Sequence, residues 1–276
     1  MKWERAVSVF KYAFLVATAI VVIGPFFLTI ITSLKNISDL YQSGPLAMPT
    51  VWRFGNYIKI WKEVDFATFY LNSFIATSVS ALGVVVLSTL GAYPFAFLTF
   101  SLKRFWWTII ILGLLIPVEM IIIPFFKDMK VLGLLNSRWA LILQLVSSMT
   151  AFGIFLIRSF MKDIPPSLLE SARMDGSSEF RNLVSIVIPL TRQSLTSLFI
   201  FAAMWSWNAY FAPLILIQRE KLRTVPIGLD YFRQQFTSDY PLVSAAALTA
   251  IVPILIVYLV FQRRIVKGMT IGALKE

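Results

Sequence analysis

The sequence predicts an all-α membrane protein with six transmembrane helices. Of its 276 residues, 58% are hydrophobic and only 14% are charged, and the mean hydropathy is +0.78. A soluble domain is nearer half apolar and about a quarter charged. Six long runs contain at most one charged residue each, and each run is close to the roughly 20 residues that cross a hydrocarbon core. The solvent for most of this chain is therefore lipid.

Each of these runs predicts one span. Lys2, Arg5 and Lys11 precede the first run as in a secretory signal, but the run is too long for the apolar core of a signal. It also lacks a clear small-residue cleavage site, so we expect it to be retained. The uncharged run at 66–102 is too short for two spans and a turn, and it predicts one helix with an interfacial start near Phe69. Within a single domain at 1–276, the predicted spans are 12–33, 69–99, 105–126, 139–158, 192–217 and 241–262.

Proline occurs in five of the six predicted spans. In a membrane helix it frees a backbone carbonyl group and permits a kink. Bent helices suit a pathway that opens and closes, and they equally suit close packing between helices. The prolines are Pro25, Pro94, Pro117, Pro124, Pro213 and Pro253.

The basic residues predict the direction of insertion. With six spans both termini lie on one side, and 14 of the 25 Lys and Arg residues fall on that side against 11 on the other. Cytoplasmic loops carry the excess of Lys and Arg. We therefore expect both termini, and the segment between the fourth and fifth spans, in the cytoplasm.

The composition excludes several classes of function. The chain has no His and no Cys, which rules out imidazole bases, thiol nucleophiles, His or Cys metal sites and disulfides. It has no Gly-Lys pair, and thus no phosphate-binding loop of the G-x-x-x-x-G-K-[ST] type, so any ATP that drives its work is hydrolysed by another subunit. The net charge of +11 is spread over short segments that flank apolar runs. This distribution fits membrane topology and argues against nucleic-acid binding.

One connection between spans, residues 163–190, is unusually long and polar. Most connections are about 4–6 residues long. Charge is concentrated in this connection, although most of the chain avoids it. The charged residues of its central part are Glu170, Arg173, Asp175, Glu179 and Arg181.

The order of residues in this connection predicts a helix–glycine–helix elbow. Pro165 and Pro166 suit the start of a helix, and Ser167 is a candidate cap. Gly176 accepts a positive φ and ends this helix, and Ser177 is a candidate cap for a second short helix. A structured elbow at the cytoplasmic surface predicts a binding site for a partner protein. The alternative is a solvated loop in which Gly176 only stops a helix.

The elbow also resembles a family motif. The residues ESA at 170–172 are followed after three residues by Gly176, and after nine more by IVIP at 186–189. This spacing resembles the E-A-A–x3–G–x9–I–x–L-P motif of ABC importer permeases. Ser171 and Ile188 replace the middle Ala and the Leu of the motif, and both changes leave the spacing intact.

Further segments resemble the carbohydrate branch of that family, the maltose-permease-like subunits of binding-protein-dependent transport. The resemblance covers nearly the whole chain after residue 10. The segments are GLLNSRWALIL (133–143), WSWNAYFAPLIL (205–216) and RRIVKGMTIGALK (263–275).

The resemblance implies a type I ABC importer permease fold with a cytoplasmic coupling helix, in a bacterial inner membrane. It implies that the chain pairs with a second, similar permease and that an extracellular solute-binding protein delivers a sugar. Two ATPase subunits would bind ATP and Mg²⁺ and dock on the elbow, while this chain would be no enzyme and would bind no cofactor. By position in the motif, the docking residues would be Glu170, Ala172, Asp175, Gly176 and Pro189.

Polar side chains within the spans are candidates for the substrate path, because polar groups in a bilayer usually face the bundle interior or water. The carboxamide of Asn208 suits sugar hydroxyls, and Trp207 or its neighbour Trp205 could stack on a sugar ring. Gln144 has the same potential. Glu119 is the only acidic residue inside a span, and its other possible roles are a contact with the second permease, an exit gate, a hydrogen bond to a backbone donor or a proton relay. For the amides, the alternative is hydrogen bonding between helices.

Other functions are open at this stage. A permease of the same family could carry a polyol or glycerol phosphate. A stand-alone secondary transporter would need internal symmetry or a cluster of buried acids, and a membrane-embedded enzyme would need clustered acids or His. The sequence contains no evident repeat and one acid within a span.

Overall fold

The computed structural model describes residues 2–234 and 239–273, and every regular element within them is helical. The predicted all-α class is thus confirmed. The last residues of the 263–275 segment lie outside the described residues. The α-helices are α1 Lys2–Ser33, α2 Ile37–Ser43, α3 Gly55–Glu63, α4 Phe66–Phe97, α5 Lys103–Leu115, α6 Val118–Val131, α7 Arg138–Met161, α8 Pro166–Met174, α9 Glu179–Asn182, α10 Ile188–Trp207, α11 Phe211–Leu216, α12 Val225–Gln234 and α13 Tyr240–Ala273.

The number of helices that could cross a membrane agrees with the predicted number of spans. Among the described residues, five helical segments are long and apolar enough, and there are six spans if α5 and α6 together form a broken one. The five segments are Val7–Ser33, Phe66–Phe97, Arg138–Met161, Glu179–Trp207 and Tyr240–Gln262.

The third predicted span, 105–126, is two helices in the structure. α5 and α6 meet at a bend of 102°. Pro117 has no N–H to donate, and Ile116 before it takes extended backbone angles, with φ −85° and ψ 112°. The chain therefore breaks at this proline, where the sequence indicated only a kink.

The chain divides into two compact units, the first being Met1–Ala67 with Gly228–Val252. In this unit the connection after α1 is held by Asn56, whose Nδ2 donates to the carbonyl oxygens of Ser33 and Lys35, both at 2.8 Å. Most side chains of α1 are exposed and apolar. A helix that is apolar all round is expected where lipid or another membrane helix surrounds it.

The second unit is Thr68–Ile227 with Pro253–Glu276, and in it α7 packs against α5, α6, α10 and α11. α7 also lies very close to α4, because a Cβ added at Gly153 would overlap the Ser88 side chain, whose own Cβ would be 2.8 Å away. Small residues allow membrane helices to approach this closely. α7 is therefore surrounded by the other helices of its unit.

The GLLNSR segment before α7 has a fixed geometry. Asn136 has a positive φ of 57°, and its Oδ1 accepts hydrogen bonds from the backbone N–H groups of Gln218 and Arg219, at 2.6 and 3.2 Å. Ser137 then caps α7 by accepting from the N–H of Ala140. These bonds tie the start of α7 to the end of α11.

Candidate translocation cavity and docking elbow

A cavity of about 840 Å³ lies among α5, α6, α7, α10 and α11, all within the second unit. Its volume is typical of sites that bind small molecules, and so is a mainly apolar wall with a few polar groups. The polar residues on the wall are Glu119, Gln144, Ser148 and Asn208, and the aromatic residues are Phe152, Phe155, Phe201, Trp205, Tyr210 and Phe211.

Two helix breaks lie at this cavity. One separates α5 from α6, and residues on both of its sides, Ile116 and Val118, line the wall. The other, at 208–210, separates α10 from α11 and also lines the wall. In a membrane, non-helical backbone is tolerated where protein buries it or where it lines a water-filled cavity. Both breaks fall within predicted spans, so their convergence favours a water-filled cavity at membrane depth.

Gln144 lines the cavity and has a buried side-chain acceptor that is not used. The residue is 2% exposed, and within the described part of the chain its Oε1 has no hydrogen-bond partner. A buried polar atom left unpaired costs roughly 1–3 kcal/mol. A water or ligand donor that reaches this oxygen from the cavity would remove that cost.

Asn208 and Glu119 lie at the two helix breaks. Asn208 ends α10, and its Nδ2 donates to the Met204 carbonyl oxygen at 2.8 Å, which leaves its Oδ1 as an acceptor. Glu119 is exposed in the first turn of α6, where the helix dipole favours a carboxylate. The structure thus brings three of the four candidate path residues, Glu119, Gln144 and Asn208, to one wall.

The fourth candidate, Trp207, does not line this cavity. It is 7% exposed, and its ring packs edge-on against Tyr70 with centroids 5.7 Å apart. Trp205 lines the wall instead and is 56% exposed. Residues two apart in an α-helix point in nearly opposite directions, since each residue turns the helix by about 100°. Only one of the two could therefore face the cavity.

The elbow forms as the sequence predicts around Gly176. α8 ends at Met174, and Gly176 has a φ of +78°. The N–H of Gly176 donates to the Arg173 carbonyl oxygen at 3.0 Å, and the N–H of Ser177 donates to that of Ala172 at 2.9 Å. These two bonds form a Schellman motif, which satisfies the last carbonyl groups of a helix and requires a left-handed residue after it.

The predicted caps of the elbow helices were misplaced. Pro166 occupies the first position of α8, and Ser167, within the helix, is not its N-cap. The cap of α9 is Ser178 rather than Ser177, and its Oγ accepts from the N–H of Arg181 at 3.3 Å. Ser177 is instead used by the Schellman motif, so the second helix begins one residue later than expected.

A hydrogen-bonded cluster that the sequence did not reveal connects the two helices of the elbow, α8 and α9, with α4. Arg173 on α8 and Glu179 on α9 form a two-point ion pair, with Nε to Oε1 at 2.7 Å and Nη2 to Oε2 at 3.2 Å. The Tyr93 hydroxyl, on α4, donates to Glu179 Oε2 at 2.6 Å. The hydrogen bond to Glu179 raises the pKa of Arg173 above its usual value, so this guanidinium stays charged.

The remaining docking candidates are mostly on the surface of the elbow. Glu170 and Asp175 are exposed, whereas Ala172 is half-buried. Two large apolar side chains that the sequence did not single out are also exposed, Met174 to 88% and Phe180 to 70%. Two large, strongly exposed apolar side chains on one short segment make it a candidate surface for a partner protein.

The last docking candidate, Pro189, lies inside a long helical segment, Glu179–Trp207. Immediately before it the helix widens into one π-helical turn, Leu183–Val187, in which the N–H of Ile188 donates to the Leu183 carbonyl oxygen. Proline in a helix lacks an N–H and clashes with the carbonyl group four residues earlier. The wider turn accommodates that ring, so the segment continues through the proline.

Comparison with known proteins identifies the family. The model of the family described as "Binding-protein-dependent transport system inner membrane component" matches residues 88–271. This range contains the whole elbow and all the residues that line the cavity.

Two curated relatives span most of the chain. The diacetylchitobiose uptake system permease protein NgcG of Streptomyces coelicolor is 29% identical, over 99% of this chain and 90% of its own length. The sn-glycerol-3-phosphate transport system permease protein UgpE of Pectobacterium atrosepticum is also 29% identical, over 96% of this chain and 97% of its own length.

A solved structure has the same fold. It is a bacterial ABC transporter involved in the import of the acidic polysaccharide alginate, with a TM-score of 0.83 and 24% identity over 95% of this chain and 98% of that one. In this family the permease binds no cofactor and is not itself catalytic, and ATP is handled by a partner ATPase. The chain belongs to the family of binding-protein-dependent transport system inner membrane components, as a multi-pass permease of an ABC importer.

Proposed function

We propose that this permease moves a sugar or oligosaccharide across the inner membrane after an extracellular solute-binding protein delivers it. The observation that carries the proposal is the cavity at the two helix breaks, where amide groups and the exposed ring of Trp205 line one wall. Amides hydrogen-bond to hydroxyls, and an aromatic face suits the apolar face of a sugar ring. The similarity to a diacetylchitobiose permease supports the same class of cargo.

The elbow at 163–190 docks on an ATPase subunit in this proposal, and the docking residues are Glu170, Ala172, Asp175, Gly176 and Pro189. Exposed Met174 and Phe180 add an apolar surface for the partner to cover. The elbow is then cytoplasmic, as are both termini. The full importer consists of this chain, a second permease, two ATPase subunits and the binding protein.

Uptake into vesicles tests the proposal. The complete importer is reconstituted with its binding protein, and uptake of labelled neutral oligosaccharides is measured with and without ATP. We expect uptake that requires ATP, and Asn208→Ala should lower it at least tenfold while the complex still assembles. Gln193→Ala is the matched control, because Gln193 is exposed on the same helix away from the cavity wall. Uptake by this chain alone, without an ATPase, would contradict the proposal and favour a secondary transporter.

Docking of the ATPase on the elbow is tested separately, by its retention in purified complexes. The double variant Met174→Asp, Phe180→Asp should release the ATPase from purified complexes while both permeases stay together. Arg181→Asp is the control, since it changes the charge of an exposed residue of the elbow and leaves that apolar surface intact. Full retention of the ATPase by the double variant would show that the partner does not cover this surface.

An anionic cargo is the second candidate, because UgpE has the same 29% identity to this chain as NgcG. Glycerol 3-phosphate is included in the same uptake assay for this reason. Saturable, ATP-dependent uptake of glycerol 3-phosphate, without uptake of any neutral sugar, would support this alternative.

A further inference from the structure

We propose that Glu119 makes the cavity selective for ligands that donate hydrogen bonds and carry no negative charge, so that anionic cargo is excluded. The inference deepens the proposed function and rests on it, because it concerns the cavity assigned to the substrate path. It distinguishes neutral sugars from anionic cargo, which the identities to NgcG and UgpE, both 29%, do not distinguish.

The charge on the cavity wall supports this selectivity. Among the described residues that line the cavity, Glu119 carries the only formal charge. The N-terminal end of α6 bears a partial positive charge of about half a unit, which offsets only part of a full carboxylate charge. In a cavity with low-dielectric walls, one uncompensated charge dominates the local potential.

The polar atoms left free at the wall point to the same ligand chemistry. Within the described residues the Oε1 of Gln144 lacks a partner, but this atom is buried and is not itself exposed on the cavity surface. Asn208 uses its amide to donate to the Met204 carbonyl oxygen, so its Oδ1 is left as an acceptor. Together with the carboxylate of Glu119, the Asn208 Oδ1 is an acceptor at the cavity, and both groups complement hydroxyl or ammonium donors.

The described part of the cavity wall lacks the basic side chains that most anionic cargo requires. Phosphate, sulfonate and carboxylate groups are bound by Arg, Lys or clustered N–H donors. Lys and Arg are absent from the described residues that line this cavity. An anionic group in this cavity would meet the N–H groups at the start of α6, but it would also meet the like charge of Glu119, and no basic side chain among the described lining residues offsets that charge.

Cysteine labelling measures the charge effect without knowledge of the cargo. The chain contains no Cys, so Ser148→Cys introduces its only thiol, on the cavity wall, and labelling of the importer without this substitution gives the background from the other subunits. In membrane vesicles that hold the complete importer, the rates of reaction with a cationic and an anionic methanethiosulfonate reagent are compared. Each rate is divided by that of a free thiol in the same buffer. We expect the cationic reagent to react faster, on the order of tenfold, since a charged cleft concentrates counter-ions by at least that factor.

Two second-site variants isolate the role of Glu119. Adding Glu119→Gln should bring the ratio of the two normalised rates close to one. Adding Asp128→Asn removes an acidic charge from the same helix beyond the cavity wall, and it should leave the ratio unchanged.

The outcomes distinguish this inference from the proposed function. If both reagents reach the thiol but Glu119→Gln leaves the ratio unchanged, or if the anionic reagent reacts faster, the charge selection is wrong and the path is still supported. If neither reagent modifies the thiol, the cavity is not water-filled, and both the path and its charge selection are overturned.

Discussion

Arg173 and Glu179 form a two-point ion pair across the Gly176 turn, with the shorter contact at 2.7 Å. The same carboxylate accepts a hydrogen bond from the Tyr93 hydroxyl at 2.6 Å. One carboxylate therefore joins both arms of the elbow to α4. The angle of the elbow depends on this side-chain cluster as well as on the backbone of the turn.

Removing the charge of Glu179 should weaken coupling more than folding. The ion pair is partly exposed, and such pairs contribute about 0–1 kcal/mol to stability. We expect Glu179→Gln to lower the amount of cargo moved per ATP hydrolysed by several-fold, with little change in the amount of assembled complex. Arg181→Ala serves as the control, because Arg181 is exposed on the same short helix and lies outside this cluster. Equal transport per ATP in Glu179→Gln and the unmodified importer would count against a positioning role.

Transport by variants at Gly176 should depend on whether the new residue can adopt the backbone angle of this glycine. Its φ of +78° lies in the left-handed region, which Asn tolerates, Ala adopts at about 1 kcal/mol, and Pro cannot adopt. Pro also removes the N–H that donates to the Arg173 carbonyl oxygen. Gly176→Asn should transport nearly as well as Gly, whereas Gly176→Pro should insert in the membrane but uncouple uptake from ATP hydrolysis. Normal uptake by the Pro variant would mean that this turn has no mechanical role.

A side chain at Gly153 should loosen the packing of α4 on α7. Even the Cβ of Ala would overlap Ser88, and overpacking of this kind costs about 1–3 kcal/mol. Gly153→Ala should therefore lower the midpoint temperature of unfolding of the complex in detergent. Gly113→Ala is the matched control, because the nearest atom to its added Cβ, on Ala151, is at an ordinary contact distance of 3.7 Å. Identical midpoints for the two variants would refute the close approach.

The two tryptophans should give opposite phenotypes. Trp207→Ala removes a buried ring that packs on Tyr70, and it should destabilise the complex by about 3–5 kcal/mol. Trp205→Ala removes an exposed ring at the cavity wall, so it should reduce uptake while thermal stability is retained. Measuring both quantities for both variants checks the assignment, and a stable Trp207→Ala with impaired uptake would reverse it.

The parts of the molecule that follow from local sequence were predictable. Long uncharged runs indicated the spans, and Gly176 indicated the end of α8, because glycine adopts a positive φ without a steric cost. Pro117 signalled an interruption, but a proline kink and a 102° break have the same local signature. Which of them forms depends on the neighbours that surround the proline.

The parts that depend on long-range contacts were not predictable. Tyr93 and Glu179 are 86 residues apart in the chain, and nothing in either segment signals their contact. Trp205 and Trp207 differ only in helix phase, so a structure was needed to tell which faces the cavity. Ser178 replaced Ser177 as a cap because the Schellman motif after Gly176 uses one more residue than a simple stop.

The helical segment Glu179–Trp207 has the elbow at one end, and its other end lines the cavity. Its 29 residues make a lever arm of about 43 Å at 1.5 Å per residue. If the segment tilts as one rigid body, a tilt of about 10° displaces its far end by roughly 7.5 Å. The π-helical turn Leu183–Val187 lets the segment pass Pro189 unbroken, so in the proposed mechanism a single continuous helix would connect the docked ATPase with the cavity.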